Sequence, residues 1–504
     1  MNRFETLKEG ISLAKVKADL HALARHGETE LPEKRVLEPL RLLGVALRPR
    51  AGGTFMMRIR ATGGRLTAAQ AMEVGRIARA FGRDRIDITA RAQLQIRWLR
   101  LDQVPQVIDR LEAVGLLTCQ TLMDSVRNII TCPLAGLSDH ELFDVEPVLA
   151  DIDRRLIGRD DFVDLPRKVN MAVSSCQRHC CGAQLQDVAL TPAWCHAGRG
   201  GAGFNVWVGG KASTNDFRVA KALDMFIEPS AAAEVLAGLL SIYRDHGPRE
   251  QRSRARLAWL VDAWGTRRLR VELERRLGRA LAPAGVDARS GQSCALTGVL
   301  PQRQPGRSAV GLVVPVGRLS GGQLIRLSEL ATQYGGDELR LTCEQNIIVP
   351  HIADRHVPIV LREPAITALN PEAPAAIRGT KSCIGAEFCS LAVIETKQRA
   401  LDVARELDRR LPGLGPLRIH WSGCNAGCGQ HLSADIGLQG RKVERGGEKV
   451  DAVDIYLGGS PGPDPKPAVK CREAVPCDDL VDTLVALLRD HPELVGRCRE
   501  VASA

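Results

Sequence analysis

Aromatic residues make up only 4% of this 504-residue chain, with three tyrosines, six tryptophans and nine phenylalanines. Base stacking needs such rings, and no nucleic-acid-binding motif accompanies them, so nucleic acid is not an expected partner. No stretch approaches the ~18 consecutive apolar residues of a membrane span, and the opening MNRFETLKEGISLAKVKADL has no apolar core of a secretory signal. A cytoplasmic protein away from membranes is expected. No G-x-G-x-x-G follows a strand-like segment, so no nicotinamide or flavin module is visible. A basic tail is also missing: the formal charge of +10 is carried mostly by arginines spread along the chain.

What is plentiful is cysteine. Fifteen cysteines in a chain without a visible signal fit a reducing compartment, where thiols bind metal or stay free. The length is too great for one hydrophobic core and predicts two to four domains. With 44% hydrophobic and 25% charged residues the composition is that of a globular protein. The positive balance suits an anionic substrate or an acidic protein partner.

The chain repeats itself. GRLTAAQAMEVGRIARAFGRDRIDIT (Gly64 to Thr89) aligns without a gap to GRLSGGQLIRLSELATQYGGDELRLT (Gly317 to Thr342) at an offset of 253. SCQRHCCGAQLQDVAL aligns to GCNAGCGQHLSADIGL at an offset of 248, setting Cys176 on Cys424, Cys180 on Cys428 and Asp187 on Asp435. Two blocks in one order at nearly one offset mean a duplicated architecture with a pseudo-twofold axis, since a solenoid has a far shorter period. In each copy a strand such as TFMMRIRA precedes a helix of 3.6-residue period. An alternating strand such as RIDITARAQLQIRWL follows, and in the first copy the helix VPQVIDRLEAVGL comes next. That order is a ferredoxin-like α+β unit. The Gly-, Pro- and Ser-rich stretch Leu281 to Ser308 reads as the linker between halves.

Four late cysteines carry the strongest chemical signal. KSCIGAEFCSLA holds Cys383 and Cys389 as C-x5-C, and HWSGCNAGCGQH holds Cys424 and Cys428 as C-x3-C in a glycine-rich loop. Zinc ribbons favour shorter spacings in both pairs, whereas iron–sulfur clusters accept wider ones. Gly423, Gly427 and Gly429 let backbone amides approach the sulfurs. A [4Fe–4S] cluster is therefore expected on these four. Cys471 and Cys477 are also C-x5-C but have no second pair, and are expected to be structural or free. The trio Cys176, Cys180 and Cys181 lacks an upstream C-x5-C, with lone Cys132 the nearest candidate. It reads mainly as a relic of duplication, with a second metal site as the alternative.

CIGAEFCSLAVIETKQRA followed by RIHWSGCNAGCGQHLSADIGLQG resembles the cluster signature of the sirohaem-dependent nitrite and sulfite reductases, and the duplication resembles that family's. The resemblance runs from RHGETELPEK through DAVDIYLGG to VPCDDL, nearly the whole chain. It implies an α+β fold with two ferredoxin-like half-domains and two larger mixed α/β domains that bind sirohaem and the cluster. The expected divisions are an N-terminal extension (1–50), the first ferredoxin-like half-domain (51–120), the first sirohaem- and substrate-binding domain (121–290), the second half-domain (305–365) and the cluster- and sirohaem-binding domain (366–504). The resemblance also implies that Cys428, by position, is the thiolate that bridges to the sirohaem iron. Arg58 in FMMRIRATGG, Arg127 in DSVRNIITCPLAG and Lys168 in DLPRKVN match the family's cationic active-site residues. Thr89, Arg91 and Gln95 in TARAQLQIRW match residues that hold the sirohaem carboxylates. RATGG in place of an RLPGG-like turn, and Ala92 where glutamine is frequent, depart from the pattern.

The resemblance implies an assimilatory six-electron reduction of nitrite to ammonia, with ferredoxin or a similar acidic protein as one-electron donor to a monomeric enzyme. LPRKVN carries Asn170 where sulfite reductases place a second lysine. Asparagine can hydrogen-bond but adds no charge, which suits the monoanion nitrite over the more highly charged sulfite. The alternatives are a ferredoxin-dependent sulfite reductase, a corrin-ring oxygenase related to precorrin-3B synthase, and a zinc-stabilised binding protein without redox activity. The arginine-rich segment Arg249 to Arg279 is a solvated amphipathic face or part of the donor's docking surface.

Overall fold

The structure is a computed structural model that describes residues 3–25, 32–195, 201–462, 464–496 and 500–501. Residues 26–31, at the start of the segment resembling the reductases, and the chain ends of the first and last expected divisions lie outside the described residues.

The two aligned repeats form the same local structure for the same reason. Thr67 caps the helix Ala68–Phe81 by accepting from the Gln70 amide at 3.2 Å, while Gln70 Oε1 accepts from the Thr67 amide at 3.0 Å. Ser320 and Gln323 make the equivalent box at Gly321–Tyr334, with distances of 2.9 and 2.8 Å. Each box satisfies two amide donors that a helix start leaves open. The two helices meet at glycines: a β-carbon on Gly75 would stand 2.7 Å from the Gly321 carbonyl oxygen, so only hydrogen fits.

The ferredoxin-like sheets are not closed within their own repeats. The first runs Val45–Arg48, Thr54–Ile59, Leu94–Leu99, Arg85–Ile88 and then Arg318–Ser320 from the second repeat. The second runs Gly298–Pro301, Arg307–Leu312, Ile347–Ala353, Glu338–Leu341 and then Arg65–Thr67 from the first. Leu319 pairs with Ile86, and Leu339 pairs with Leu66, so each half completes the other. One continuous core, including Val74, Ile77, Leu324 and Leu327, lies under both sheets. The stretch expected as one long strand, 85–99, is two strands, because the chain turns at Thr89–Gln93 with Ala92 at φ 49°.

Two larger sheets follow a shared plan. In the first, Val126–Ile130, Val169–Val173 and Val188–Trp194 are parallel, and Ala202–Val208 and Lys221–Ile227 continue antiparallel. In the second, Thr380–Ser382, Ile419–Ser422 and Ile436–Arg445 are parallel, and Glu448–Leu457 and Val469–Pro476 continue antiparallel. Parallel neighbours need crossover connections. The helices Glu146–Leu156 and Lys397–Arg410 lie in those connections and pack on the respective cores.

The expected linker, Leu281 to Ser308, is woven into the fold. Val286–Asp287 pairs with the first large sheet, and Gly298–Pro301 is an edge strand of the second ferredoxin-like sheet. Pairing to two sheets leaves that segment no freedom as a tether.

Candidate functional site

The C-terminal cysteine pairs sit just past the ends of two neighbouring parallel strands, Thr380–Ser382 and Ile419–Ser422. Cys383 donates its amide to the Trp421 carbonyl at 3.0 Å, and its sulfur accepts from the Gly423 amide at 3.2 Å. Such an amide-to-sulfur bond stabilises a thiolate. Gly427 takes φ +67°, and a β-carbon on Gly429 would stand 1.9 Å from the Trp421 carbonyl oxygen, so the loop can follow this path only with glycine. Cys383, Cys389 and Cys424 are partly exposed and Cys428 is exposed. Burial and the neighbouring Cys428 push the Cys383 thiol up to about 11. Burial likewise raises Cys424, with Cys428 and Cys389 adding to the effect. Soft thiolate donors from two adjoining loops, with a backbone amide directed at one sulfur, are the donor chemistry that a polynuclear iron cluster takes. Arg50 ties the first loop from outside, donating to the Ala386 and Ala392 carbonyls at 3.1 and 3.0 Å.

Facing this loop is a set of cations from the first half. Arg58, on Thr54–Ile59, donates to the Thr121 carbonyl at 3.3 Å. Arg127, on Val126–Ile130, donates to the same carbonyl and to that of Met123, the latter at 2.6 Å. Burial pushes the Arg58 guanidinium down to about 9, with Arg48 adding repulsion, and burial followed by Arg58 drives Arg127 well below its ordinary value. Lys168 has no hydrogen bond or ion pair among the described residues. Burial, with Arg256 and Arg127 nearby, pushes its ammonium down to about 7, against the opposing pull of Cys428.

Asn170 is held by its backbone: its amide donates to Asp187 at 2.7 Å, and Arg256 grips that carboxylate at 2.7 and 2.6 Å. The second repeat explains the arrangement. Arg418, the counterpart of Asn170, donates its amide to Asp435 at 2.9 Å and pairs with the same carboxylate through its own guanidinium. In the first repeat Arg256 supplies that guanidinium from elsewhere, leaving the side chain at 170 free of the task.

Of the residues expected at the sirohaem carboxylates, Arg91 donates to Gln186 and to the Asn128 carbonyl, both at 2.6 Å, and burial pushes it down to about 10. Thr89 Oγ1 accepts from the Arg91 and Gln93 amides at 3.2 Å each, which fixes the turn. Gln95 accepts from Arg97, which also grips Asp87. Sequence reasoning missed Arg60, Arg97, Gln93 and Arg256. The Nε atoms of Arg58, Arg60, Arg91, Arg97 and Arg127, and Nε2 of Gln93, are buried donors without a partner in the protein. Buried polar groups are nearly always satisfied. Open donors from two strands of the first ferredoxin-like sheet, the turn between its strands and the first strand of the large sheet fit a buried polyanion such as the carboxylate-rich sirohaem.

Cys471 and Cys477 pack into the core of the last domain, apart from the cluster loop. The first-half cysteines depart from expectation: the sulfurs of Cys132, Cys176 and Cys180 lie with that of Cys294 within 4.8 Å of one another. A relic of duplication does not account for four converging thiols. Cys181 is not part of that group and packs in the ferredoxin-like core. The segment Arg249 to Arg279 is a short 3-10 turn at Arg252–Arg254 and an α-helix only from Leu257 to Leu277, interrupted at Gly265 with φ 72°. Its arginines are largely taken: Arg249 by Glu5 and Asp164, Arg252 by Asp124, and Arg275 and Arg276 by Glu272. That pairing favours a solvated face over a docking surface. No described helix is long and apolar enough to cross a membrane.

Comparison with known proteins agrees with this geometry. Residues 122–281 and 374–492 match the family described as nitrite and sulphite reductase 4Fe-4S domain. Residues 48–114 and 300–365 match the nitrite/sulfite reductase ferredoxin-like half domain. The chain is 40% identical to the ferredoxin–nitrite reductase of Synechococcus elongatus, over 97% of this chain and 96% of that relative. It is 38% identical to the chloroplastic ferredoxin–nitrite reductase of Zea mays, over 89% of this chain and 80% of that one. The solved structure of Mycobacterium tuberculosis NirA superposes with a TM-score of 0.91 at 30% identity, covering 97% of this chain and 93% of that one. Converging unpaired cations, a four-thiol loop facing them and a duplicated frame that matches end to end lead to one assignment: the chain belongs to the sirohaem- and [4Fe–4S]-dependent nitrite and sulphite reductase family, on its ferredoxin–nitrite reductase branch.

Proposed function

We propose that the chain carries out the assimilatory reduction of nitrite to ammonia in the cytoplasm, with single electrons from reduced ferredoxin. Cys383, Cys389, Cys424 and Cys428 would hold the [4Fe–4S] cluster, and Cys428 would join it to the sirohaem. When bound, these groups store electrons and deliver them to the nitrite nitrogen.

The observation that carries the reading is the set of Arg58 and Arg127, each with an open Nε, together with Lys168, on the side of the Cys428 loop. Arg58 and Arg127 would orient the anion and stabilise negative charge on its oxygens as the N–O bonds break. Lys168, whose ammonium burial brings down to about 7, and water would supply the protons, while the delocalised guanidiniums serve as hydrogen-bond donors. Arg91, with Thr89 and Gln95 shaping the same turn and strand, would meet the sirohaem carboxylates, and Arg60 and Gln93 offer further donors. Asn170 would contact the anion without adding charge. The basic balance of the chain complements an acidic donor.

The test is anaerobic turnover of the purified protein with reduced ferredoxin, measuring ammonia from nitrite and sulfide from sulfite in parallel, with visible spectra before and after nitrite. Ammonia formation dominating, with a sirohaem band that shifts on nitrite, is the expected result. Sulfide formation with equal or higher kcat/KM, or purified protein without sirohaem, would overturn it.

A further inference from the structure

The four first-half sulfurs form a site of their own. Cys132 lies just past the strand Val126–Ile130, as Cys383 lies just past Thr380–Ser382. Cys176 and Cys180 follow Val169–Val173, as Cys424 and Cys428 follow Ile419–Ser422. Three of the four positions are thus pseudo-twofold mates of the expected cluster ligands. The fourth has no counterpart in that scheme. Cys294 comes from the segment that connects the halves, on the short strand Ser293–Cys294.

Spacing separates the two sites chemically. Thiolates about 2.3 Å from one tetrahedral ion lie just under about 4 Å from each other. Four sulfurs all within 4.8 Å of one another are near enough to close on a single ion with small side-chain adjustments. A cubane cluster binds each thiolate through a different iron and spreads them over its corners. The surroundings are closed and built: Cys132, Cys176 and Cys294 are buried with Leu134, Leu137 and Leu300, and Cys180 is partly buried beside them. The loop bearing Cys176 and Cys180 is stitched to the connecting segment by His179 donating to Gln292 at 2.8 Å and Ser290 donating to Gln177 at 2.7 Å. Four thiolates around one divalent ion leave two net negative charges. Arg340, paired with Glu338 at 2.7 Å, reaches the same place and donates to the Pro133 carbonyl at 3.1 Å next to Cys132, and Arg178 lies near enough to Cys294 to favour its thiolate.

We propose that Cys132, Cys176, Cys180 and Cys294 bind a single structural zinc ion, separate from the iron–sulfur cluster, which fastens the connecting segment to the first large domain where the chain passes to the second half. Four sulfurs with no open position suit a structural ion, and tetrahedral sulfur coordination selects zinc among common divalent ions.

The test uses the full-length holoprotein. Elemental analysis is expected to find one zinc per chain beyond the iron of the cluster and sirohaem, and zinc-edge X-ray absorption to find four sulfurs at about 2.3 Å. Cys294→Ser should lose zinc to a chelator at least tenfold faster, while iron, acid-labile sulfide and the visible spectrum stay unchanged. Absence of zinc, iron in its place, a nitrogen- or oxygen-rich shell, or unaltered zinc retention in Cys294→Ser would each overturn the proposal. Should Cys294→Ser fail to fold, the absorption measurement on the unmutated protein decides by itself.

Discussion

Arg58 and Arg127 donate to one carbonyl oxygen, that of Thr121, from two neighbouring strands of different sheets. Two guanidiniums gathered on one neutral acceptor repel each other, and each retains a buried Nε without a partner. An anion placed between them relieves the repulsion and fills the open valences. Arg127→Gln removes one charge-assisted contact, worth about 1.5–3 kcal/mol, and is expected to lower kcat/KM for nitrite by roughly 10- to 100-fold. Steady-state kinetics at full sirohaem occupancy checks this, and an unchanged kcat/KM would remove Arg127 from the anion site.

Cys424→Ser and Cys428→Ser together should abolish the cluster's iron and acid-labile sulfide and lower the thermal midpoint, because metal binding and folding are coupled. The same change at Cys471, half-buried against the last core, should leave both contents intact. Iron retained in the first pair, or lost in the second variant, would contradict the ligand assignment.

Asn170→Lys adds a cation beside Lys168 without disturbing the backbone bond to Asp187, which any residue can make. Worth about 1.4 kcal/mol at one added charge contact, it is expected to shift the ratio of kcat/KM for sulfite over nitrite about tenfold toward sulfite. A fixed ratio with an unaltered sirohaem spectrum would mean that position 170 does not discriminate between the anions.

Asp87 joins both halves to the last domain: Arg97 and Arg318 grip it, and Lys397 lies 3.3 Å away. Although burial alone would raise its carboxyl, Arg97, Lys397 and Arg318 hold it well below the usual range. The folded value lies below the unfolded one, so the stabilisation is fully present above about pH 5 and is lost as pH falls through the ordinary carboxylate range and below. Asp87→Asn leaves buried cations without a counter-charge and should cost about 3–5 kcal/mol at neutral pH. Denaturant melts at pH 7 and pH 3, the latter below the unfolded carboxylate's ordinary value, should show the variant losing less stability on acidification than the parent protein. An equal loss in both would assign the acid sensitivity to other groups.

Local signals made the repeats readable. The offset alignment marked two equivalent helices, each of which forms behind its own capping box, and the periodicities around them marked the ferredoxin-like elements. The C-x5-C and C-x3-C spacing with its glycines marked a loop built to surround something, since Gly427 and Gly429 are needed for the backbone path itself. The turn at Thr89–Gln93 escaped notice because alternating apolar residues on both sides of it mimic one long strand.

What pattern cannot carry is partnership across the chain. Arg65–Thr67 and Arg318–Ser320 pair with each other's sheets, a choice fixed by how the two capped helices pack at Gly75 and Gly321. Arg256 serves Asp187 in one repeat where Arg418 serves Asp435 in the other, a substitution visible only when both carboxylates are seen satisfied. Cys294 stands far from Cys176 in sequence, in a stretch whose glycine and proline content reads as a tether. Hydrogen bonds from the neighbouring loop bring it within reach of three thiols. Sequence alone determined the two repeated strand–helix units and the paired-cysteine loops, because those depend on neighbouring residues. Only tertiary structure decided which donors stay unpaired and which sulfurs converge, because burial and pairing are properties of the assembled chain.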